Sequence, residues 1–214
     1  MSKKERLSQF NRSNILTAAK ELFAEKGVTQ TTVDDIGKKA DCSKSTIYVY
    51  FKNKEEIFDC IVLEYYTLLR DGLSNAVKDA ENFSAGFYAV CRTIAGFYTQ
   101  HPMYFDSVLG EIKIVTNDKD AVLFQIYQVG EEINEIMGNF FGEWMAKGQV
   151  RSDIPRLPQT IFALWGGVCG IITLAHKKGP YITHRMDATP EEFMENGFRL
   201  LLQSVLPVNL DEGR

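Results

Sequence analysis

The chain has 214 residues, 45% of them hydrophobic and 24% charged, with a formal net charge of −4 and a pI near 5.5. Such a length buries a full core in one or two domains, and the composition is that of a globular protein, which excludes disordered and low-complexity classes. Charge is unevenly spread: residues 1–54 hold 11 basic and 6 acidic side chains, a balance of +5, while the remainder stands at −9. Counterion release depends on the local patch that meets phosphates, so the asymmetry keeps nucleic acid in view despite the acidic total. Cys42, Cys60, Cys91 and Cys169 show no C-x-x-C spacing and are expected as free, largely buried thiols. MSKKERLSQFNRS lacks the apolar stretch of a secretory signal, and the apolar run Ile161 to Ala175 is short of the roughly 20 residues of a membrane span. The expectation is a cytoplasmic protein without a membrane partner, with that run as a buried helix.

In chain order, a first helix is predicted from about Ser8 to Lys26, with Ile15, Ala18, Ala19, Leu22 and Phe23 as its buried stripe and Gly27 as a left-handed C-cap. Lys3, Lys4 and Arg6 precede it, either as a basic arm along phosphates or as a frayed terminus. Thr32 and Asp35 form a capping pair for a short helix whose apolar face is Val33, Ile36 and Ala40. Asp41-Cys42 breaks that helix, and Ser43 caps another that turns Ile47 and Phe51 inward. Asn53, with Glu56 three residues on, opens a long helix from about Lys54 to Ala80. Two short helices joined by a tight turn have the geometry of a helix-turn-helix, whose second helix can enter a major groove.

Further helices are predicted from Ser84 to about Gln100, from Pro102 through about Glu111, from about Lys119 to Lys147, and from Pro158 to about Lys177. A loop GPYITHRMDA leads to a last helix opened by Thr189-Pro190-Glu191-Glu192, a capping box with proline at the first helical position. No strand pattern, repeat or low-complexity tract is evident. The expected fold is all-α, with about nine helices.

The run AAKELFAEKGVTQTTVDDIGKKADCSKSTIYVYFKNKEEIF resembles the DNA-binding domain of the TetR family of transcriptional regulators. The resemblance is strong over about the first quarter of the chain. It implies an N-terminal helix-turn-helix domain, residues 1–53, followed by an antiparallel helical effector-binding and dimerisation domain, residues 54–214. Residue by residue, it implies that Lys44, Ser45, Thr46, Tyr48, Val49 and Tyr50 face double-stranded operator DNA, with Thr31, Thr32 and Lys54 on phosphates. Ser45 stands where many relatives carry glycine. Val49 offers only an apolar contact, such as one with a thymine methyl.

The resemblance also implies a small-molecule effector pocket among the central helices, where Tyr65, Tyr98, His101, Tyr104, Phe124, Tyr127 and Trp165 are candidates. The same aromatics at helical spacing equally form a core, and His101 either orients a ligand or caps the break beside Pro102. Gly166 and Gly170 on WGGVCGIITLA, with Phe198 and Leu202 on the last helix, are the candidates for a homodimer interface that the family implies. No G-x-S-x-G, H-E-x-x-H, P-loop or dinucleotide fingerprint occurs, so no enzyme, metal or cofactor is expected. The resulting expectation is a repressor released from a palindromic operator by a largely apolar effector. Two alternatives stand beside it: a thiol-responsive regulator using Cys91 or Cys60, and a helical protein that does not bind DNA.

Overall fold

The computed structural model describes residues 2–108, 110 and 121–207. Among them are ten helices and no strand. In order they are α1 (Lys3–Gln30), α2 (Val33–Lys39), α3 (Lys44–Tyr50), α4 (Lys54–Lys78), α5 (Phe83–Gln100), α6 (Pro102–Val108), α7 (Val122–Ala146), α8 (Leu157–Lys177), α9 (Gly179–Met186) and α10 (Pro190–Gln203). The expected ends at Glu111 and Lys119 lie outside the described residues.

Several boundaries differ from expectation, each for a local reason. The chain begins its first helix at Lys3 because Ser2 and Glu5 satisfy each other's backbone N–H groups, so Lys3, Lys4 and Arg6 are helical. Gly27 has the expected positive φ of 81°, but its ψ of 160° makes a kink with one further turn beyond it. Asn82, not Ser84, caps α5 through its side-chain oxygen on the Ala85 N–H. The tenth helix is α9, where a loop was expected. Pro180 in its first turn presets φ, His184 and Arg185 complement the dipole in its last turn, and buried Ile182 anchors it.

The chain divides into two compact units: residues 1–66 with 111–128, and residues 67–110 with 129–214. In the first, α1 supplies Ile15, Ala19, Leu22 and Phe23 to a core shared with Ile36, Ile47, Phe51, Ile57 and Ile61. Phe58 meets the Phe23 ring edge-on at 5.9 Å between centroids, a favoured aromatic geometry.

In the second unit, Phe83 is fully buried, stacked on Phe140 at 5.2 Å and edge-on to Phe141 at 5.0 Å. Its backbone N–H donates to Gln149 Oε1, so the start of α5 is held at the end of α7. α8 and α10 pack closely because glycines sit where they cross. A Cβ on Gly167 would stand 3.1 Å from Leu201, and one on Gly197 2.8 Å from Ile171. α8 departs from expectation in being little buried. It is long and apolar enough to cross a membrane by length and composition, and only 22% of its most apolar window is buried within the chain.

Candidate nucleic-acid interface

The first unit builds its outward surface from two short capped helices. Thr32 accepts from the Asp35 N–H while the Asp35 carboxylate accepts from the Thr32 N–H and hydroxyl, and Lys26 adds an ion pair at 2.8 Å. The Lys26 contact and these hydrogen bonds hold the Asp35 carboxyl far below the usual carboxylate range. The α2–α3 turn closes on Gly37, whose carbonyl accepts from the Cys42 N–H at 2.9 Å. A Cβ on Gly37 would stand 2.9 Å from the Cys42 carbonyl oxygen, so only glycine lets the turn close this tightly. Asp41, at φ 50°, takes the left-handed step that reverses the chain. Ser43 then accepts from the Thr46 N–H and starts α3.

On α3 the inward face is Ile47, with Phe51 following. The outward face carries Lys44, Ser45, Tyr48 and Val49, and Val49 is 76% exposed. Tyr48 is 50% exposed and makes no hydrogen bond among the described residues. A ring and a valine side chain held against water on a seven-residue helix, beside a lysine, are groups that base edges and methyls accommodate. Lys44 is steered by an ion pair with Asp34 at 3.2 Å. Thr46 shares a 2.8 Å hydrogen bond with the Ser43 hydroxyl and is half-buried. Tyr50 is tied inward by Asn11 Nδ2, which donates to its hydroxyl at 3.2 Å.

Two expected phosphate contacts are corrected. Thr31 is buried at 1% exposure, and its hydroxyl donates to the Gly27 carbonyl at 2.8 Å. The kink at Gly27 turns it inward, away from any phosphate. The Lys54 ammonium donates to the carbonyls of Val28 and Thr31, at 2.7 and 2.8 Å. It neutralises the orphan carbonyls at the end of α1, fixing the first turn of α4 to the segment entering α2. Thr32 remains exposed at a helix N-terminus, where backbone N–H groups attract anions.

Residues that sequence reasoning passed over do the bracing. Asn14 Nδ2 donates to the Ala40 carbonyl at 2.7 Å, closing the end of α2 onto α1. Arg12 lies 5.1 Å from the centre of the Phe51 ring and donates to Cys60 Sγ. A signal was present in the polar side of the α1 pattern, where Asn11, Arg12 and Asn14 interrupt what would otherwise be a solvated face.

The expected effector residues do not form one site within either unit. Tyr98 and Tyr104 are buried; Tyr98 packs edge-on to Phe105 at 4.8 Å and 4.4 Å from the His176 ring. Those aromatics are core. Tyr65, Phe124 and Tyr127 belong to the first unit, are half-buried, and Lys20 lies 5.6 Å from the Tyr65 ring. Trp165 is half-buried on α8. His101 does line an open space, a groove of about 660 Å³ between α4 and α5 in the second unit. Burial lowers its pKa.

Of the interface candidates, Phe198 and Leu202 are corrected. Both are buried within the chain, on the α10 face that packs on α8. Gly166 and Gly170 meet nothing within 4 Å and remain on the open face of α8. Phe162, Leu174 and, on α10, Leu200 are 59%, 49% and 59% exposed. No group of His, Cys, Asp or Glu among the described residues forms a metal cluster.

Residues 15–61 match the family profile described as bacterial regulatory proteins of the tetR family. The chain is 33% identical over 89 residues to the uncharacterised HTH-type transcriptional regulator YhgD of Bacillus subtilis, covering 42% of this chain and 47% of the relative. It is 51% identical over 65 residues to the fatty acid metabolism regulator protein of the same organism, covering 30% of this chain and 34% of that one. The chain thus spans about half or less of these curated relatives' lengths. The solved structure of the regulator FadR from Bacillus subtilis, in complex with stearoyl-CoA, shares the fold at a TM-score of 0.63 and 21% identity, covering 89% of this chain and 97% of that one. Residues 15–61 thus match the tetR-family domain in sequence, and the chain as a whole shares its all-α fold with solved regulators.

Proposed function

We propose that the chain is a DNA-binding transcriptional repressor that acts as a homodimer in the cytoplasm and leaves a palindromic operator when a small, largely apolar effector binds. The observation that carries this reading is the outward face of α3. Lys44, Ser45, Tyr48 and Val49 are presented on a rigid, doubly capped pair of helices, and no other part of the described first unit covers them. Thr32 adds a helix N-terminus for a phosphate, and Thr46 and Tyr50 contribute at the rim of that face.

Dimerisation is supported by the open side of α8. Phe162, Gly166, Gly170 and Leu174 recur every fourth residue on a largely uncovered apolar helix, and Leu200 on α10 is exposed beside them. An apolar stripe of this kind on a globular chain marks an interaction surface, and a two-fold pair of α8–α10 layers would bury it. Dimerisation also suits a small reading head, since two half-sites one helical turn apart multiply weak single contacts. The proposed release is a population shift: effector favours a dimer whose reading helices no longer match both half-sites. By linkage, operator must weaken effector binding by the same factor.

The name of a relative that regulates fatty acid metabolism, and the stearoyl-CoA held by FadR, support an apolar effector. Thiol sensing finds the opposite of support. Burial pushes Cys91 and Cys169 up to about 12 and raises Cys60 despite Arg12, leaving little thiolate at neutral pH.

Selection of duplexes from a random pool with the purified full chain tests the reading. Enrichment of a palindrome whose half-sites are about one helical turn apart is expected. A pool that stays random, or a single asymmetric site, would overturn it.

A further inference from the structure

The groove between α4 and α5 lies entirely in the second unit and holds, of the residues expected to form an effector pocket, His101 alone. Its volume, about 660 Å³, falls in the range of small-molecule sites. Leu68, Leu69 and Phe97 wall one end, and Ala76 and Ala89 the other. Leu68 is 53% exposed, an apolar side chain facing open space. The groove stays open because small residues line its floor. Gly72 brings α4 against Thr93, where a Cβ would stand 3.0 Å from Cγ2. A Cβ on Gly96 would meet only the Gln100 amide nitrogen at 3.9 Å, so the space beside it is vacant.

The charge on this groove is single and of one sign. Arg92 is the only Lys, Arg, Asp or Glu among the residues that line it, and it has no ion pair among the described residues. Arg70 and Arg151 in the same unit, by contrast, are held by Asp71 with Glu132 and by Asp153. No carboxylate lines the groove. Asn75 and Gln100 supply amide donors, and burial lowers the pKa of His101, which disfavours a second positive charge beside Arg92. From residue 89 to 101 the groove follows α5 for about 18 Å at 1.5 Å per residue.

We propose that this groove binds an anionic amphiphile, a carboxylate on an elongated apolar body, with Arg92 and Asn75 on the carboxylate and Leu68, Leu69 and Phe97 along the chain. The apolar walls reward an apolar body, the unpaired guanidinium rewards a planar anion that can take two parallel hydrogen bonds, and a cationic head would meet only repulsion. If the ligand is the effector, the assignment deepens the proposed function; ligand binding itself does not depend on that reading. α4 carries both the groove wall at Leu68 to Ala76 and, at its first turn, Lys54 on the Val28 and Thr31 carbonyls. A ligand that displaces α4 therefore acts on the helix that is fastened to the α1–α2 segment.

Calorimetric titration of the full chain with dodecanoate, below its micelle concentration, tests the site, beside dodecyltrimethylammonium as the cationic counterpart. Arg92→Gln removes the charge, and Gly96→Leu fills the vacant space with a strong helix former. Saturable binding of dodecanoate alone is expected, weakened roughly tenfold or more by Arg92→Gln and abolished by Gly96→Leu. Absence of saturable binding, equal binding of the cation, or binding untouched by Arg92→Gln would overturn the proposal. The selected duplex then separates the two readings. Dodecanoate binding that depends on Arg92 but leaves duplex affinity unchanged would uphold the groove and sink its role in operator release.

Discussion

Thr31 and Thr32 are adjacent and have opposite surroundings. The Thr31 hydroxyl is sealed under the Gly27 kink, whereas Thr32 stands at the exposed start of α2. Thr31→Val keeps the shape and removes one internal hydrogen bond, leaving the Gly27 carbonyl short of a donor. A loss of about 1 kcal/mol in denaturant unfolding is expected, with the salt dependence of DNA binding unchanged. A reduced salt slope in that variant would mean that Thr31 does reach a phosphate. Asp35 makes a pH prediction. Its folded pKa is depressed by Lys26 and by the Thr32 N–H and hydroxyl, so its contribution is present above the ordinary carboxylate range and is lost as pH falls through and below it. In acid titrations, wild type should lose stability relative to Asp35→Asn as pH drops below about 4. An unchanged difference between the two across that window would show that the depression has no consequence for folding. The capping pair was legible in the sequence because it is local, a spacing of three residues. The inward turn of Thr31 was not, since it follows from a kink and a core that involve residues far along the chain.

At the scale of elements, glycines decide where helices meet. Gly197→Ala would force a Cβ to 2.8 Å from Ile171, and α8 and α10 must separate or Ile171 must leave its rotamer. The expected cost is about 1–3 kcal/mol in thermal or denaturant unfolding. Gly166→Ala meets nothing within 4 Å and adds helix propensity, so the chain itself should not be destabilised. A Gly197→Ala variant as stable as wild type would contradict the described crossing. These glycines also show what a sequence can reveal. The small-residue stripe on α8 was visible, but which of Gly166, Gly167 and Gly170 face the chain's own α10 depends on the phase of that helix. Phe198 and Leu202 were misassigned for the same reason: an apolar face can be recognised from periodicity, but its partner cannot. The helix-turn-helix was readable almost throughout, because its caps, its turn residue and its short apolar faces are local signals. α9 was missed because a loop-like GP start concealed a proline in a helix's first turn.

For the molecule as a whole, the chain concentrates positive charge in its first 54 residues and negative charge in the rest, so the proposed attraction to DNA falls to the segment that carries α3. Under the proposed function, the open α8 face is where two copies of the chain meet. On that proposal wild type sediments as a dimer, and Phe162→Glu should give a monomer and reduce operator affinity more than tenfold, through loss of the second half-site rather than of any DNA contact. A dimer unaffected by that charge would place the interface elsewhere. Fluorescence anisotropy on the selected duplex, across a salt series, for wild type and Tyr48→Ala probes the α3 surface directly. Tyr48 supports nothing in the described first unit by hydrogen bonding, so the variant should keep its melting temperature. Steeply salt-dependent binding by wild type is expected, with at least a tenfold loss in the variant, about 1.4 kcal/mol. Equal affinity of the two proteins for the duplex would contradict it.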